Sequence, residues 1–338
     1  MKIGPGTVVV VTGGSAGVGR AIADACARRG AKVAVLAREP QRLEQTRSAL
    51  LALGAEQVLA IPTDVADEAQ VEAACDRIER ELGPIDVWVN NAMVTLVAPV
   101  SETTPEELRR VTEVTYHGAV WGTMAALRRM RGRNRGSIVQ VGSALSYRPI
   151  PLQAAYCGAK HAMLGFTDAL RSELIQEGSA IHLAMVQLPA VNTPQFEWCR
   201  TRMAGHPRPM GTIYQPELIA DAVLYAAEGH RRELFVTISS ANAIWGDKLI
   251  PRLLDRFLAR TAYPGQQMRE RVAPDRKDNL FEPVPGPWGA HGRFDEQAKP
   301  ASATLWLNLH RNWLLASTAA LLAVGAVAAG AGRKGLRR

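Results

Sequence analysis

The chain of 338 residues has few cysteines, few aromatic residues and no strong charge over most of its length. Its four cysteines are scattered, and none belongs to a Cys-x-x-Cys pair, which excludes a disulfide framework and argues against a zinc site. The only early apolar run, Val8 to Val11, is too short for the core of a signal peptide. We therefore expect a folded protein of a reducing compartment, the cytoplasm.

The positive charge is unevenly distributed. Residues 1–250 hold 26 basic and 25 acidic side chains, whereas residues 251–338 hold 14 and 7, so the net charges are +1 and +7. A nucleic-acid site would need its charge on the folded body. We therefore expect no nucleic-acid partner.

Short apolar runs rich in β-branched residues alternate with longer amphipathic segments from residue 7 to about residue 237. Strands separated by helices imply right-handed crossovers and a parallel sheet buried on both faces. The pattern predicts an α/β fold with a Rossmann-type, doubly wound parallel sheet of about seven strands. The predicted strands are Thr7–Val11, Lys32–Leu36, Gln57–Ile61, Ile85–Val89, Ser137–Val141, Ile181–Val186 and Leu234–Thr237.

The C-terminal third has a different pattern. Ala243–Thr261 predicts one more amphipathic helix, so residues 1–261 form the predicted Rossmann domain. Residues 262–304 are rich in proline and glycine and predict an arm lying on the body, or a linker. Residues 305–338 contain the uncharged stretch 313–332 and end in a basic tail. A helix of that length would roughly match a bilayer of about 30 Å, so it could span a membrane, lie on one or pack within an oligomer.

A glycine-rich turn follows the first predicted strand and precedes a helical pattern. Its residues are Thr12, Gly13, Gly14, Ser15, Ala16, Gly17, Val18 and Gly19. Glycine lets backbone N–H groups approach a phosphate, and the N-terminus of the helix adds its positive end. The turn therefore predicts a dinucleotide site.

The end of the second strand indicates which dinucleotide is bound. A carboxylate there usually holds the ribose of NAD, whereas an arginine accommodates the extra phosphate of NADP. The strand ends Leu36-Ala37-Arg38, with no acid before the arginine. Arg38 favours NADP(H) over NAD(H), although a solvated arginine next to Glu39 is the alternative interpretation.

Three residues have the pattern of a proton-transfer site. Ser143 follows the fifth predicted strand, and Tyr156 and Lys160 lie four residues apart on one face of the next helix. An ammonium beside a phenol lowers the pKa of the phenol, which could then exchange a proton with a substrate alcohol or carbonyl. Ser143 could hydrogen-bond the same substrate oxygen.

Together these motifs resemble those of the classical short-chain dehydrogenase/reductase family over roughly residues 7–240. The resemblance is carried by the Thr12–Gly19 turn, Asp64, Asn90-Asn91-Ala92, Ser143, Tyr156 and Lys160. It implies an NADP(H)-dependent oxidoreductase that interconverts a secondary alcohol and a ketone or aldehyde. Tyr156 would be the general acid/base, Ser143 would steady the substrate oxygen, and Lys160 would lower the pKa of Tyr156 and bind the nicotinamide ribose.

The resemblance also implies further cofactor contacts. Asp64 and Val65 would contact the adenine, the Asn90 backbone would lie near the adenosine ribose, and Ala92 would be a further contact with the cofactor. A loop that starts at Pro189 would close over the nicotinamide, with Thr193 on the carboxamide.

One departure from the family pattern concerns a fourth catalytic residue. The family usually has an asparagine three positions before a glycine in the long helix, where it supports a water leading to the lysine. Thr115 stands at that position here, before Gly118. We expect an altered proton relay in which the threonine hydroxyl holds the water.

The segment Ala190–Gln215 is expected to determine substrate choice. Its large side chains indicate an apolar pocket or lid, and they are Phe196, Trp198, Met203, Met210 and Tyr214. A homo-oligomer is also expected. The alternative hypotheses are a catalytically weak, membrane-associated scaffold or redox sensor, and an epimerase or dehydratase of the same fold.

Overall fold

The computed structural model describes residues 1–229, 231–238 and 246–311. Its centre is a sheet of seven parallel strands, whose order is β7-β6-β5-β4-β1-β2-β3. The strands are β1 (Val8–Thr12), β2 (Lys32–Ala37), β3 (Gln57–Pro62), β4 (Val87–Asn90), β5 (Ser137–Val141), β6 (His182–Gln187) and β7 (Glu233–Phe235). The predicted doubly wound sheet is confirmed, and each predicted strand boundary lies within two residues of the observed one.

The helices cover both faces of the sheet, and a separate apolar core lies on each face. They are α1 (Gly17–Arg28), α2 (Pro40–Ala52), α3 (Glu68–Glu81), α4 (Pro105–Thr112), α5 (Gly118–Arg131), α6 (Ala154–Gln176), α7 (Pro216–Glu228) and α8 (Pro251–Gly265). The strands in the middle of the sheet are buried throughout, which explains why their sequences are continuously apolar rather than alternating.

Local signals fix where several helices begin. The Asp67 side chain accepts a hydrogen bond from Gln70 N at the start of α3. Thr104 and Glu107 form a reciprocal capping box at the start of α4. These caps satisfy N–H groups that have no partner within the helix.

The connection between α4 and α5 is a π-helical turn, Glu113–His117. A π-turn inserts an extra residue into a helix and is often found near functional sites. Thr115 lies in this turn and is almost completely buried.

The arm predicted for residues 262–304 folds back onto the body in the structure. Gln267–Arg271 pairs antiparallel with Gly205–Pro207, and Lys299 forms a bridge with Tyr214. Leu280 and Phe294 are buried in the interior. The exact domain boundaries at residues 261 and 304 stay predictions.

The C-terminal membrane prediction concerns residues 313–332, which lie outside the described residues. The last described element is a helix at residues 303–311. Within the described ranges, no helix is both long and apolar enough to cross a bilayer. The first residues of the predicted helix Ala243–Thr261 also lie outside these ranges, and helix α8 ends four residues beyond its predicted end.

Candidate active site

A cavity of about 750 Å³ lies at the carboxyl ends of the strands. This is the edge where open α/β sheets bind their ligands. One end of the cavity reaches Arg38 and Asp64, and the other reaches Ser143 and Tyr156. The residues expected to bind the cofactor that line it are Gly13, Ser15, Gly17, Val18, Arg38, Asp64, Val65, Ala92, Tyr156, Lys160, Pro189 and Thr193.

The glycine-rich turn forms one wall of this cavity. Gly13 and Gly17 have φ of +65° and +57°, a left-handed conformation that favours glycine. No side chain caps the N-terminus of α1 in the described structure, although Gly17 N donates to Gly289 O at 3.0 Å, and Gly17 and Val18 face the cavity there. A helix end of this kind fits the phosphates of a dinucleotide.

Thr12 and Gly19 support the turn from outside the cavity lining, and their predicted cofactor contacts stay predictions. The Thr12 hydroxyl donates to Val89 O and accepts from the backbone of Asn91 and Ala92 at 2.9 and 3.0 Å. A Cβ on Gly19 would lie 2.3 Å from Gly13 O, so only glycine fits against the turn.

The predicted contact of the Asn90 backbone with the adenosine ribose stays a prediction. Asn90 is the last residue of β4, and its buried side chain accepts a hydrogen bond from Trp88 Nε1 and donates to Thr123. The next residue, Asn91, lines the cavity and donates to Thr12 O at 2.9 Å. Sequence reasoning missed Asn91 because the family motif spans both asparagines and does not show where the strand ends.

Basic side chains surround the far end of the cavity. Arg38, Arg42 and Asp64 line it, and Arg110 forms an ion pair with Asp64 at 2.5 Å. Burial and the neighbouring Arg110 lower the pKa of Arg38. Arg42 and Arg110 were not predicted as site residues, because α2 and α4 bring them to Arg38 only in the folded chain.

The three residues of the predicted proton-transfer site meet at the other end of the cavity. Lys160 Nζ lies 5.7 Å from the ring centre of Tyr156 and donates to Val141 O at 2.7 Å. Ser143 accepts a hydrogen bond from Leu145 N, which fixes its hydroxyl at the start of a short 3-10 turn. All three side chains are buried and line the cavity.

The ionisation of this group differs from the sequence expectation. Burial raises the pKa of the Tyr156 phenol, and a hydrogen bond with Ser143 offsets only part of this effect. Burial also lowers the pKa of Lys160 to about 7. Desolvation of both groups therefore outweighs the attraction that a fully charged lysine would exert on a phenolate.

The hydroxyl of Thr115 is bound to the loop after β4, and its predicted role in a proton relay stays a prediction. Its hydroxyl donates to Val94 O at 3.0 Å and accepts from Val94 N at 3.2 Å. These two hydrogen bonds therefore attach the loop after β4 to the π-turn. Val94 itself lines the cavity, so Thr115 positions the wall of the site.

The wall next to Tyr156 is largely apolar. Of the five large side chains predicted for it, Phe196, Trp198 and Met210 line the cavity, whereas Met203 and Tyr214 lie outside its lining. Helix α8 contributes Leu254, Phe257 and Leu258. The amphipathic pattern of α8 was visible in the sequence, but its position over the cavity was not.

Comparison with known proteins agrees with this geometry. The model of the family described as short chain dehydrogenase matches residues 7–203, which is more than half of the chain. The chain therefore belongs to the short-chain dehydrogenase/reductase family. It is an oxidoreductase that acts on CH–OH groups with NAD(P).

Three relatives illustrate the range of similarity. An uncharacterized oxidoreductase, YxnA, of Bacillus subtilis is 30% identical over 81% of this chain and 78% of its own. A 3-dehydrosphinganine reductase of Danio rerio is 34% identical over 56% of this chain and 58% of its own. A 2,3-dihydro-2,3-dihydroxybenzoate dehydrogenase of Bacillus subtilis is 31% identical over 66% of this chain and 90% of its own.

The burial of Lys160 predicts a pH-dependent stability. Its pKa is about 7 in the folded chain and 10.5 for an unperturbed lysine, so the unfolded chain binds more protons between these pH values. The free energy of unfolding from this group should rise with pH across that window, by at most about 1.4 kcal/mol per pH unit. Denaturant unfolding should therefore show that the free energy of unfolding of the wild type, relative to that of Lys160→Met, increases as pH rises. Lys248→Met, at an exposed lysine, is the control, and a difference that does not vary with pH would contradict the prediction.

Proposed function

We propose that the chain interconverts an apolar secondary alcohol and its ketone with NADP(H), with Tyr156 as general acid/base. The observation that carries this proposal is the meeting of Ser143, Tyr156 and Lys160 at the apolar end of a cavity whose other wall is the N-terminus of α1. When bound, the nicotinamide supplies or accepts the hydride. The protein has to hold the substrate oxygen and move one proton.

The proton step is assigned to Tyr156. In the direction of reduction, its hydroxyl donates a proton to the carbonyl oxygen while the hydride reaches the carbonyl carbon. Ser143 donates a hydrogen bond to the same oxygen and stabilises its developing charge. The raised pKa of Tyr156 keeps the phenol protonated before the reaction, and Lys160 would hold the nicotinamide ribose from the adjacent turn of α6.

The preference for NADP(H) is supported by the charges at the far end of the cavity. Arg38, Arg42 and Arg110 lie there, whereas the adjacent Asp64 is already paired with Arg110. Glu39 also lines this end, and its carboxylate accepts hydrogen bonds from Gln41 N and Arg42 N at the start of α2. A phosphate on the adenosine ribose would be attracted to this excess of positive charge. Thr193, Pro189 and Val65 are proposed contacts along the rest of the dinucleotide.

An apolar substrate is supported by the side chains that surround the reactive end. The loop after β6 contributes Phe196 and Met210, and helix α8 contributes Leu254, Phe257 and Leu258. Leu145 and Ile150, between β5 and α6, complete this surface. Burying an apolar substrate among them would provide binding energy without a charged partner.

Membrane association is part of the proposal because α8 combines exposed apolar and basic residues beside the cavity. On this helix Leu253 is 62% exposed, and Arg252, Arg256 and Arg260 are exposed as well. Leu249, which lies just before the helix, is 74% exposed. Such a surface suits an anionic bilayer. The uncharged sequence 313–332 would add a second anchor to a catalytic domain in the cytoplasm. The homo-oligomer stays a prediction.

Replacement of Tyr156 tests the chemistry. Tyr156→Phe should lower kcat for NADPH-dependent reduction of apolar ketones about 10²–10⁴-fold, because the proton donor is lost while the ring is kept. NADPH binding, measured by fluorescence titration, should stay within a few-fold of the wild type. Tyr263→Phe, at an exposed tyrosine, is the control. Turnover by Tyr156→Phe near the wild-type rate would contradict the assignment, and a wild type that binds NADPH without turning over any ketone would favour the scaffold alternative.

Replacement of Arg38 tests the cofactor preference. Arg38→Gln should lower kcat/KM for NADPH about 10–100-fold, as expected for loss of a charged hydrogen bond of about 1.5–3 kcal/mol. NADH in the same variant is the control, because a general distortion would affect both cofactors equally. An unchanged ratio of the two kcat/KM values would rule out Arg38 as the specificity residue.

Vesicle flotation tests the membrane proposal. The full chain should float with vesicles that contain anionic phosphatidylglycerol, and less so as salt rises, because the arginines are screened. Leu249→Asp combined with Leu253→Asp should reduce flotation several-fold, whereas Leu108→Asp, at an exposed leucine of α4, should not. The proposal would be contradicted if the wild-type protein stayed in the fraction that contains no vesicles.

A further inference from the structure

Residues 278–294, called the strap below, run along the outer side of the dinucleotide part of the cavity. Three of its residues, Asn279, Pro283 and Val284, line the cavity itself. The side chain of Leu280 is completely buried in the core between the sheet and its helices. The strap is therefore both anchored in the protein interior and part of the cavity wall.

The arginines at the adenosine end hold the first part of the strap by its main chain. Arg38 donates to Asn279 O at 2.6 Å and to Phe281 O at 2.7 Å. Arg110 donates to Leu280 O at 3.1 Å while it is paired with Asp64. The guanidinium groups best placed for a ribose phosphate thus also bind strap carbonyls.

A third arginine extends this attachment. Arg42 donates to Val284 O and stacks on the Trp198 ring, with its guanidinium 5.1 Å from the ring centre. Trp198 packs edge-on against Trp288 of the strap at 5.0 Å. The middle of the strap is therefore held from α2 and from the loop that follows β6.

The last part of the strap reaches the turn expected to bind the phosphates. Gly17 N, at the start of α1, donates to Gly289 O at 3.0 Å. A Cβ on Gly292 would lie 2.4 Å from Thr193 O, so the strap backbone lies directly on the loop expected to cover the nicotinamide. Phe294 N donates to the Asn192 side chain at 3.0 Å and fixes this end.

We propose that the strap is the outer wall of the dinucleotide site and that NADP(H) enters and leaves only when the strap opens. This inference rests on the proposed function, because it assumes that the cavity binds the dinucleotide. Contacts with Arg38, Gly17 and Thr193 place the strap across all three parts of the expected cofactor path. A cofactor bound beneath it would be shielded from solvent along its length, and opening of the strap would limit both association and release.

Leu280→Ala tests the strap without changing the cavity lining. The substitution removes the buried anchor, so the strap should open more often. In stopped-flow fluorescence with NADPH, both the association and the dissociation rate constants should increase about tenfold or more, whereas Kd should change less than either rate. Leu108→Ala, which removes the same atoms from an exposed position of α4, is the matched control and should leave both rates unchanged.

A second variant and a second measurement cover the case in which Leu280→Ala fails to fold. Trp288→Ala removes a half-buried contact at the surface and should accelerate both rates in the same direction. Hydrogen exchange of wild-type peptides from residues 278–294 should become slower when NADPH is added, because the bound cofactor keeps the strap closed. Unchanged rates in the folded variants, or exchange that does not respond to the cofactor, would overturn the inference.

The same experiments separate this inference from the proposed function. If the strap variants change the NADPH binding rates but the wild type reduces no ketone, the strap inference is supported and the proposed reaction is rejected. If the wild type reduces ketones but the strap variants leave the NADPH binding rates unchanged, the proposed reaction is supported and the strap inference is rejected. If neither NADPH nor NADH binds to the wild type, both proposals fail.

Discussion

The hydroxyl of Thr12 links the two loops on which the site depends. It donates to Val89 O and accepts from the N–H groups of Asn91 and Ala92, so the end of β1 is tied to the end of β4. Strand β1 lies between β2 and β4, which is where the strand order reverses and the loops diverge. The cavity opens at this point. The hydrogen bonds of Thr12 fix the residue directly before Gly13, where the left-handed turn begins.

Local and periodic features of the sequence predicted much of the fold and the reactive end. The alternation of strands and helices and the four-residue spacing of Tyr156 and Lys160 depend only on neighbours along the chain. The roles of Arg42 and Arg110 could not be predicted, because their partners lie about 240 and 170 residues away. The hydrogen bonds between Thr115 and Val94 could not be predicted for the same reason, since Val94 belongs to another segment.

Burial and charge oppose each other at the reactive end. The low-polarity surroundings that would favour an apolar substrate also raise the pKa of Tyr156 and lower that of Lys160. The free protein therefore keeps its proton donor protonated and its lysine only partly charged near neutral pH. Polar groups bound next to Lys160 would replace part of its lost hydration and favour its charged form.

The strap is held through its main-chain carbonyls, which every residue type provides. Arg38, Arg42 and Arg110 would bind almost any sequence at positions 279–284, provided that its backbone followed the same path. Positions 279, 281 and 284 can therefore take other side chains, whereas Leu280 is set by its burial in the core and Gly292 by its close approach to Thr193 O. A search for similar side chains would overlook such a segment in related enzymes, whereas a comparison of backbone paths would reveal it.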